Sequence, residues 1–283
     1  MQIDGKKIAL EIYDNLKIRV EKLRGAGIVP QIAVILIGDD PASKSYIIQK
    51  EKWSEYIGAL FSYIHFPEYA SEEEVLKRLE NLNFDKKIHG IIVQRPLPKH
   101  IDKQKIINAI DLEKDIDGFH KDSIYDVPVA QAVMRVLKEV HSSVTSSINL
   151  MGWLQNKLIV VIGKGETAGG PIINYLEKNG LHPTVVSSQT VNSKDVISNA
   201  DIIISAVGKP EIIKPDYLKS EVIVLGVGLY KGEDEKLYGD YIAKDIESTA
   251  SYFTPIIGGI GPVNVAYLLS NLVSAAEKQY AIK

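Results

Sequence analysis

Seven short apolar runs punctuate the chain: "QIAVILIG", "FSYIHF", "IHGIIVQ", "KLIVVIG", "HPTVVS", "DIIISAVG" and "EVIVLGVG". Each is too short for an ordinary helix and stops at glycine, proline or a polar residue. Most are β-branched and lack polar alternation, which is how a strand covered on both faces reads. Segments of helical period lie between them. Ile8, Ile12, Leu16, Val20 and Leu23 recur at helical spacing until Gly25-Ala26-Gly27 stops the pattern. "DDPASKSYIIQKEKWSEYIG" predicts a second helix, with Asp40 as N-cap, Pro41 at the first helical position and Gly58 at the stop. "SEEEVLKRLENLN" predicts a third, with Ser71 and Glu74 at capping-box spacing. Strands alternating with helices make a parallel sheet covered by helices, so the fold class is α/β.

The alternation pauses at the polar loop "DLEKDIDGFHKDSIYD" and resumes at "KLIVVIG". That pause predicts two domains with a boundary near residues 120–127. The first covers 1–124 and the second 125–261. An amphipathic helix follows from Pro262 to Tyr280. A chain of 283 residues, 45% hydrophobic and 24% charged, suits two ordinary cores. Net charge is −3 with no basic block, so neither nucleic acid nor an anionic membrane is expected as a partner. Cysteine is absent, which excludes disulfides, thiol catalysis and thiolate metal sites, and no metal site is expected. No apolar run approaches the ~20 residues of a membrane span. The first residues lack a leader's apolar core, and the cytoplasm is the expected location.

"VVIGKGETAGGP" is a strand emptying into a glycine turn and a helix. Its spacing, Gly163-x-Gly165-x-x-x-Gly169-Gly170, is one residue longer than the usual dinucleotide fingerprint. A tight turn without ligand is the plainer account of the same glycines. A βαβ unit of the right length follows, and a helix N-terminus offers free N–H groups to a pyrophosphate. Enzymes that use NAD often end the next strand with a carboxylate for the ribose hydroxyls. Here that end reads "VVSSQT", without an acid. Lys164, Ser187 and Ser188 suit a 2′-phosphate, so NADP is the expected cofactor.

Three segments of the first domain offer chemistry. Tyr46 and Lys50 are four apart and share a helix face. Gln94 ends the strand "GIIVQ", and Asp117 sits in "KDIDGF". Each has an ordinary account too: a half-exposed helix face, a residue capping backbone groups, a turn-former before glycine. Spacing leaves these alternatives open.

"GDDPASKSYIIQK", "HGIIVQRPLP", "KDIDGFH", "VVIGKGETAGGP", "ADIIISAVGKP" and "TPIIGGIGPVN" stand in one order. In that order and spacing they resemble the bifunctional methylenetetrahydrofolate dehydrogenase/cyclohydrolases, from about Asp4 to Ala276. The resemblance implies an N-terminal folate domain, a later Rossmann-type NADP domain, and a C-terminal helix (262–283) returning to the first. It implies tetrahydrofolate one-carbon derivatives as partners, a homodimer, and a place in one-carbon metabolism. Tyr46 would stack on the folate. Lys50 would be the central catalytic group, Gln94 would position it, and Asp117 would hold the pterin. Val93, Arg95 and the turn Ile257, Gly258, Gly259, Ile260, Gly261 and Pro262 would line the folate. Gly163, Lys164, Gly165, Ser188 and Leu229 would contact NADP.

Several positions depart from the family's pattern. "PVAQ" from Pro128 replaces Pro-Cys-Thr-Pro, which puts Val129 at the cysteine. Arg95 stands for Leu, Gly226 for Asp, Ile257 for Pro and Asn264 for Thr. Lys164-Gly165 replaces Arg-Ser, which keeps a cation but loses the guanidinium fork. None removes a residue central to the chemistry. Two other readings remain: a dehydrogenase without the hydrolytic half, and a non-catalytic NADP-binding regulator.

Overall fold

The computed structural model describes residues 1–145 and 147–280, so residues 281–283 of the expected last helix lie outside the described residues. The chain divides into two compact units. One comprises Leu10–Pro128 with Val265–Lys283, and the other Met1–Ala9 with Val129–Asn264. In chain order the first stretch forms α1 (Gly5–Gly25), β1 (Gln31–Ile37), α2 (Pro41–Ile57), β2 (Leu60–Phe66), α3 (Glu72–Phe84), β3 (Gly90–Val93) and α4 (Lys103–Asn108). The second forms α5 (Pro128–Val144), α6 (Leu150–Gln155), β4 (Ile159–Ile162), α7 (Gly169–Lys178), β5 (Thr184–Val186), α8 (Ser193–Ser198), β6 (Ile202–Ser205) and β7 (Val222–Gly226). A hairpin of β8 (Leu229–Lys231) and β9 (Leu237–Gly239), then α9 (Ala243–Ile246), β10 (Ala250–Phe253) and α10 (Ile260–Gln279), complete it.

In the first unit a parallel sheet has strand order β2-β1-β3. Strand β1 is buried along nearly its whole length, and Ala33, Ile35 and Ile37 join Val75, Leu79 and Leu82 of α3 in one core. The expected helix signals act locally as anticipated. Asp40 accepts the Ser43 N–H (2.7 Å), and Gly58 closes α2 at φ +85°. Ser71 and Glu74 form a reciprocal capping box on α3. Helix α10 packs within this unit from Val265 onward. Asn271 donates to the carbonyls of Ile116 (2.9 Å) and Asp126 (3.0 Å), and Glu277 pairs with Arg19 (2.6 Å).

The other unit holds a five-stranded parallel sheet of order β10-β7-β6-β4-β5. From β4 the chain steps one way to β5, then returns to β6 on the opposite side. That reversal makes a crevice at the strands' carboxyl ends, where α/β sheets bind ligands. Met1–Ala9 group with this unit. Ile3 donates to the Phe253 carbonyl (2.8 Å) and Phe253 to that of Met1 (3.0 Å), extending the sheet's edge. Helix α5 was not anticipated, although Ala132, Val133, Val136, Leu137 and Val140 form its buried stripe.

Candidate active site and cofactor turn

The buried stripe of α2 is Ser43, Ile47, Lys50, Ser54 and Ile57. A lysine on such a stripe is out of place by patterning alone, since lysine is almost never buried without a partner. Lys50 is 9% exposed, and its Nζ donates to Gln94 Oε1 at 2.8 Å. Gln94 is fixed in turn. Its backbone N–H donates to the Ile35 carbonyl (2.8 Å), and its Nε2 donates to the Arg95 carbonyl (3.0 Å). The second bond decides which end of the amide faces Lys50, since only the oxygen remains for it. Burial pushes the Lys50 amine below the usual lysine range, and the Asp117 charge opposes that shift.

The loop carrying Asp117 is held on three sides. Lys114 is buried, and its ammonium donates to the carbonyls of Leu82 (2.9 Å), Asn83 (2.7 Å) and Asp85 (2.8 Å) at the end of α3. A cation suits the negative end of a helix. The Ile91 N–H donates to the Lys114 carbonyl (2.8 Å), joining the loop to β3. Ile116 covers Gly90 so closely that a Cβ there would stand 2.6 Å from the isoleucine methyl. Asp117 follows directly and is half-buried. Burial raises its carboxyl above the ordinary value, while Lys50 and Arg95 pull it back down.

Val93, Arg95, Leu97, Asp115, Asp117 and Phe119 line one pocket. The Arg95 guanidinium lies 3.8 Å from the centre of the Phe119 ring, and Ser43 Oγ donates to the Arg95 carbonyl (3.2 Å). Tyr46 is half-buried one turn before Lys50, and burial raises its hydroxyl's pKa. Lys50, Gln94 and Asp117 are thus brought together with Val93 and Arg95. The turn Ile257–Pro262 belongs to the other unit. There Gly258 adopts φ +91°, and a Cβ on Gly5 would overlap the Gly259 carbonyl.

In that unit Gly163 ends β4 at φ +92°. A Cβ on Gly169 would overlap the Gly163 carbonyl, so this glycine lets α7 start against the strand end. Nothing lies within 4 Å of a Cβ on Gly165. The N-cap of α7, Ala168, makes no side-chain cap. In the first turn Gly170 donates to the Gly165 carbonyl (2.8 Å) and Pro171 carries no N–H, which leaves Gly169 as the backbone donor offered there. This arrangement fits a pyrophosphate. Lys164 and Ser188 are exposed beside it in sequence and at the end of β5, while Leu229 opens β8 half-buried.

The catalytic-domain pattern of the tetrahydrofolate dehydrogenase/cyclohydrolases matches residues 3–117, and the NAD(P)-binding domain of the same enzymes matches residues 129–280. This chain belongs to the tetrahydrofolate dehydrogenase/cyclohydrolase family. Similar relatives include the bifunctional protein FolD of Agathobacter rectalis, 38% identical over 98% of this chain and 99% of that protein. FolD of Bacillus anthracis is also 38% identical, over 98% of this chain and 96% of its own. Among solved structures, the bifunctional FolD of Campylobacter jejuni superposes with a TM-score of 0.90 at 33% identity, covering 98% and 99% of the two chains. The Trypanosoma brucei enzyme, solved with NADP and an inhibitor, gives 0.89 at 28% identity over 99% and 98%.

One departure from the family pattern has a structural reason. A Cβ at Gly226 would stand 2.9 Å from the Tyr241 ring, which fills the space a larger residue would need. The Tyr241 hydroxyl donates to the Thr254 carbonyl (2.5 Å), and burial pushes its pKa up to about 12. Sequence reasoning missed Lys114, Asp115 and Phe119 as supports of the Asp117 loop. Only Lys114 left a signal, a lysine directly before the motif's first aspartate.

Proposed function

We propose that the chain oxidises 5,10-methylenetetrahydrofolate to the methenyl form with NADP, and hydrolyses the methenyl form to 10-formyltetrahydrofolate. Membership of the family supports both activities. The observation that carries the hydrolytic half is the buried Lys50–Gln94 pair beside Asp117.

When bound, NADP supplies the hydride acceptor for the first reaction. That step removes no proton, so the chain's residues need only align the two reactants. Tyr46 offers an aromatic platform for the folate, and Val93 and Arg95 line its pocket. Hydrolysis is different, because addition of water to the methenyl carbon and ring opening both move protons. Lys50 is suited to this, since a lowered pKa keeps part of the amine neutral nearer physiological pH. Gln94 holds the amine in place. Asp117 accepts N–H bonds from the pterin, a paired geometry that a carboxylate supplies well. Ile257, Gly258, Gly259, Ile260, Gly261 and Pro262 are the further folate contacts that family membership supports.

Gly163, Lys164 and Gly165 receive the phosphates of NADP, with Ser188 and Leu229 as further contacts. Lys164 meets the 2′-phosphate. The folate domain is residues 1–124 with 262–283, and the cofactor domain is 125–261. The enzyme works as a homodimer in the cytoplasm. No helix among the described residues is long and apolar enough to cross a membrane.

The deciding assay gives purified protein methylenetetrahydrofolate with NADP or NAD, and follows methenyl formation and decay by near-ultraviolet absorbance. Formation with NADP, then decay faster than the buffer rate, is expected. Decay at the buffer rate would leave a dehydrogenase alone. NADP binding without methenyl formation would make the chain a regulator.

A further inference from the structure

Two turns at the carboxyl edge of the five-stranded sheet place glycine beside lysine: Gly163-Lys164 after β4 and Gly208-Lys209 after β6. The two strands are neighbours at the point where strand order reverses. The turns touch, since a Cβ on Gly163 would stand 2.7 Å from the Ala206 carbonyl oxygen. Successive backbone N–H groups in such turns form a concave cradle for an anion. The sheet's edge therefore offers two candidate phosphate cradles.

The protein fills one of them itself. Asp240 is completely buried. Its Oδ1 accepts the N–H groups of Gly208 (2.7 Å) and Lys209 (3.0 Å). Its Oδ2 accepts the Val207 N–H (3.0 Å) and the Ser205 hydroxyl (2.6 Å). Four donors use the ~4 acceptor positions of a carboxylate. The turn after β4 is more open: a Cβ on Gly165 would meet nothing within 4 Å, and α7 has no side-chain cap. The β6 turn also supports the start of β8, since a Cβ on Gly208 would stand 2.8 Å from the Leu229 carbonyl.

We propose that Asp240 is a positioning residue for NADP: an internal anion that locks Val207–Lys209 as a fixed wall of the crevice and leaves the β4 turn as the phosphate cradle. Asp240 touches no phosphate itself. It acts by holding the Ala206–Lys209 backbone against Gly163 and Leu229. The proposal rests on NADP being the cofactor, and calorimetric titration of the wild-type chain with NADP tests that reading separately.

The test compares the full-length wild type with Asp240→Asn and Ser205→Ala. Asparagine keeps the shape but turns an NH2 group toward backbone donors. Amide hydrogen exchange without cofactor should show Val207–Lys209 protected in the wild type and released in Asp240→Asn. The same variant should bind NADP about tenfold more weakly by calorimetry. Hydrolysis of methenyltetrahydrofolate without NADP should stay within about twofold of wild type, since Lys50, Gln94 and Asp117 belong to the other unit. Wild-type NADP affinity in a folded Asp240→Asn variant would overturn the proposal. So would an equal loss of both activities, which would mean a general structural role. Should Asp240→Asn fail to fold, Ser205→Ala removes one donor and keeps the three amide bonds. A roughly two- to fivefold loss of NADP affinity with hydrolysis intact would then support the proposal, and unchanged affinity would overturn it.

Discussion

The Lys50 cluster and the turn after β4 are built from opposite materials. Around Lys50 the working atoms belong to side chains withdrawn from water: an amine 2.8 Å from an amide oxygen, with a half-buried carboxylate beside them. At the turn the working atoms are backbone N–H groups, and the glycines matter for the carbon they lack. The fragility of each follows from its material. The cluster should be sensitive to a change of functional group at constant volume. The turn should be sensitive to added volume at constant polarity, and less so to the loss of a nearby exposed charge.

The largest effect should come from Lys50→Met, which keeps the apolar stem and removes the amine. Methenyl hydrolysis should fall by about 10²–10⁴-fold, the usual cost of losing an acid–base group. Dehydrogenase activity should survive in part, so methenyltetrahydrofolate should accumulate. Wild-type hydrolysis should rise with pH through a group titrating below the ordinary lysine value, because burial lowers it. Stability should respond in the matching direction. The folded chain binds this proton less tightly than the unfolded chain, so the ammonium costs stability below the lowered pKa. That cost fades as pH rises toward the ordinary lysine value. Lys50→Met should therefore melt at or above the wild-type temperature near neutrality, with the gap closing at alkaline pH. A variant that hydrolyses at the wild-type rate would reduce Tyr46 and Lys50 to a binding face.

Gly169→Ala applies the complementary disturbance. The new methyl would overlap the Gly163 carbonyl, so backbone must move, at about 1–3 kcal/mol for overpacking. NADP affinity and melting temperature should fall together while methenyl hydrolysis persists. An undisturbed NADP affinity would show that α7 does not need its close approach to β4. Asp117→Asn should weaken both activities by about 1–3 kcal/mol through a higher KM for folate, because an amide has one oxygen and cannot accept a parallel pair of N–H bonds as a carboxylate does. Unchanged folate affinity would return Asp117 to a turn-former before Gly118.

The same contrast governs what was legible in the sequence. The Asp40 cap, the Ser71–Glu74 box and the Gly58 stop were readable because each is closed within a few residues. Lys50 was visible as a candidate, but spacing could not choose it. Its distinction is a place on the buried stripe of α2, and that face is defined only once the rest of the unit packs on it and brings Gln94 within reach. Helix α5 carried its apolar period in plain view and went unread. Asp240 was not readable at all. Its four donors lie 31 to 35 residues away, and no local pattern marks it. Gly226 is similar, since the ring that forbids a side chain there arrives from Tyr241.

Lys164→Ala should give the smallest effect, and it probes the one point where the turn relies on a side chain. Lys164 is exposed, so its attraction to a 2′-phosphate is screened by water and salt. The loss should be about 1 kcal/mol, roughly a fivefold rise in the KM for NADP. The KM for NAD should hardly change, because NAD has no 2′-phosphate and no acid ends β5 to favour it. Raising ionic strength should shrink the wild-type preference for NADP toward that of the variant. The turn's N–H groups would still hold the pyrophosphate, so neither cofactor should lose binding outright. If both KM values rise together, Lys164 serves the shared pyrophosphate, and the backbone turn depends on a side chain after all. If neither moves, discrimination lies at Ser187 and Ser188, where alanine replacements should then reproduce the expected split.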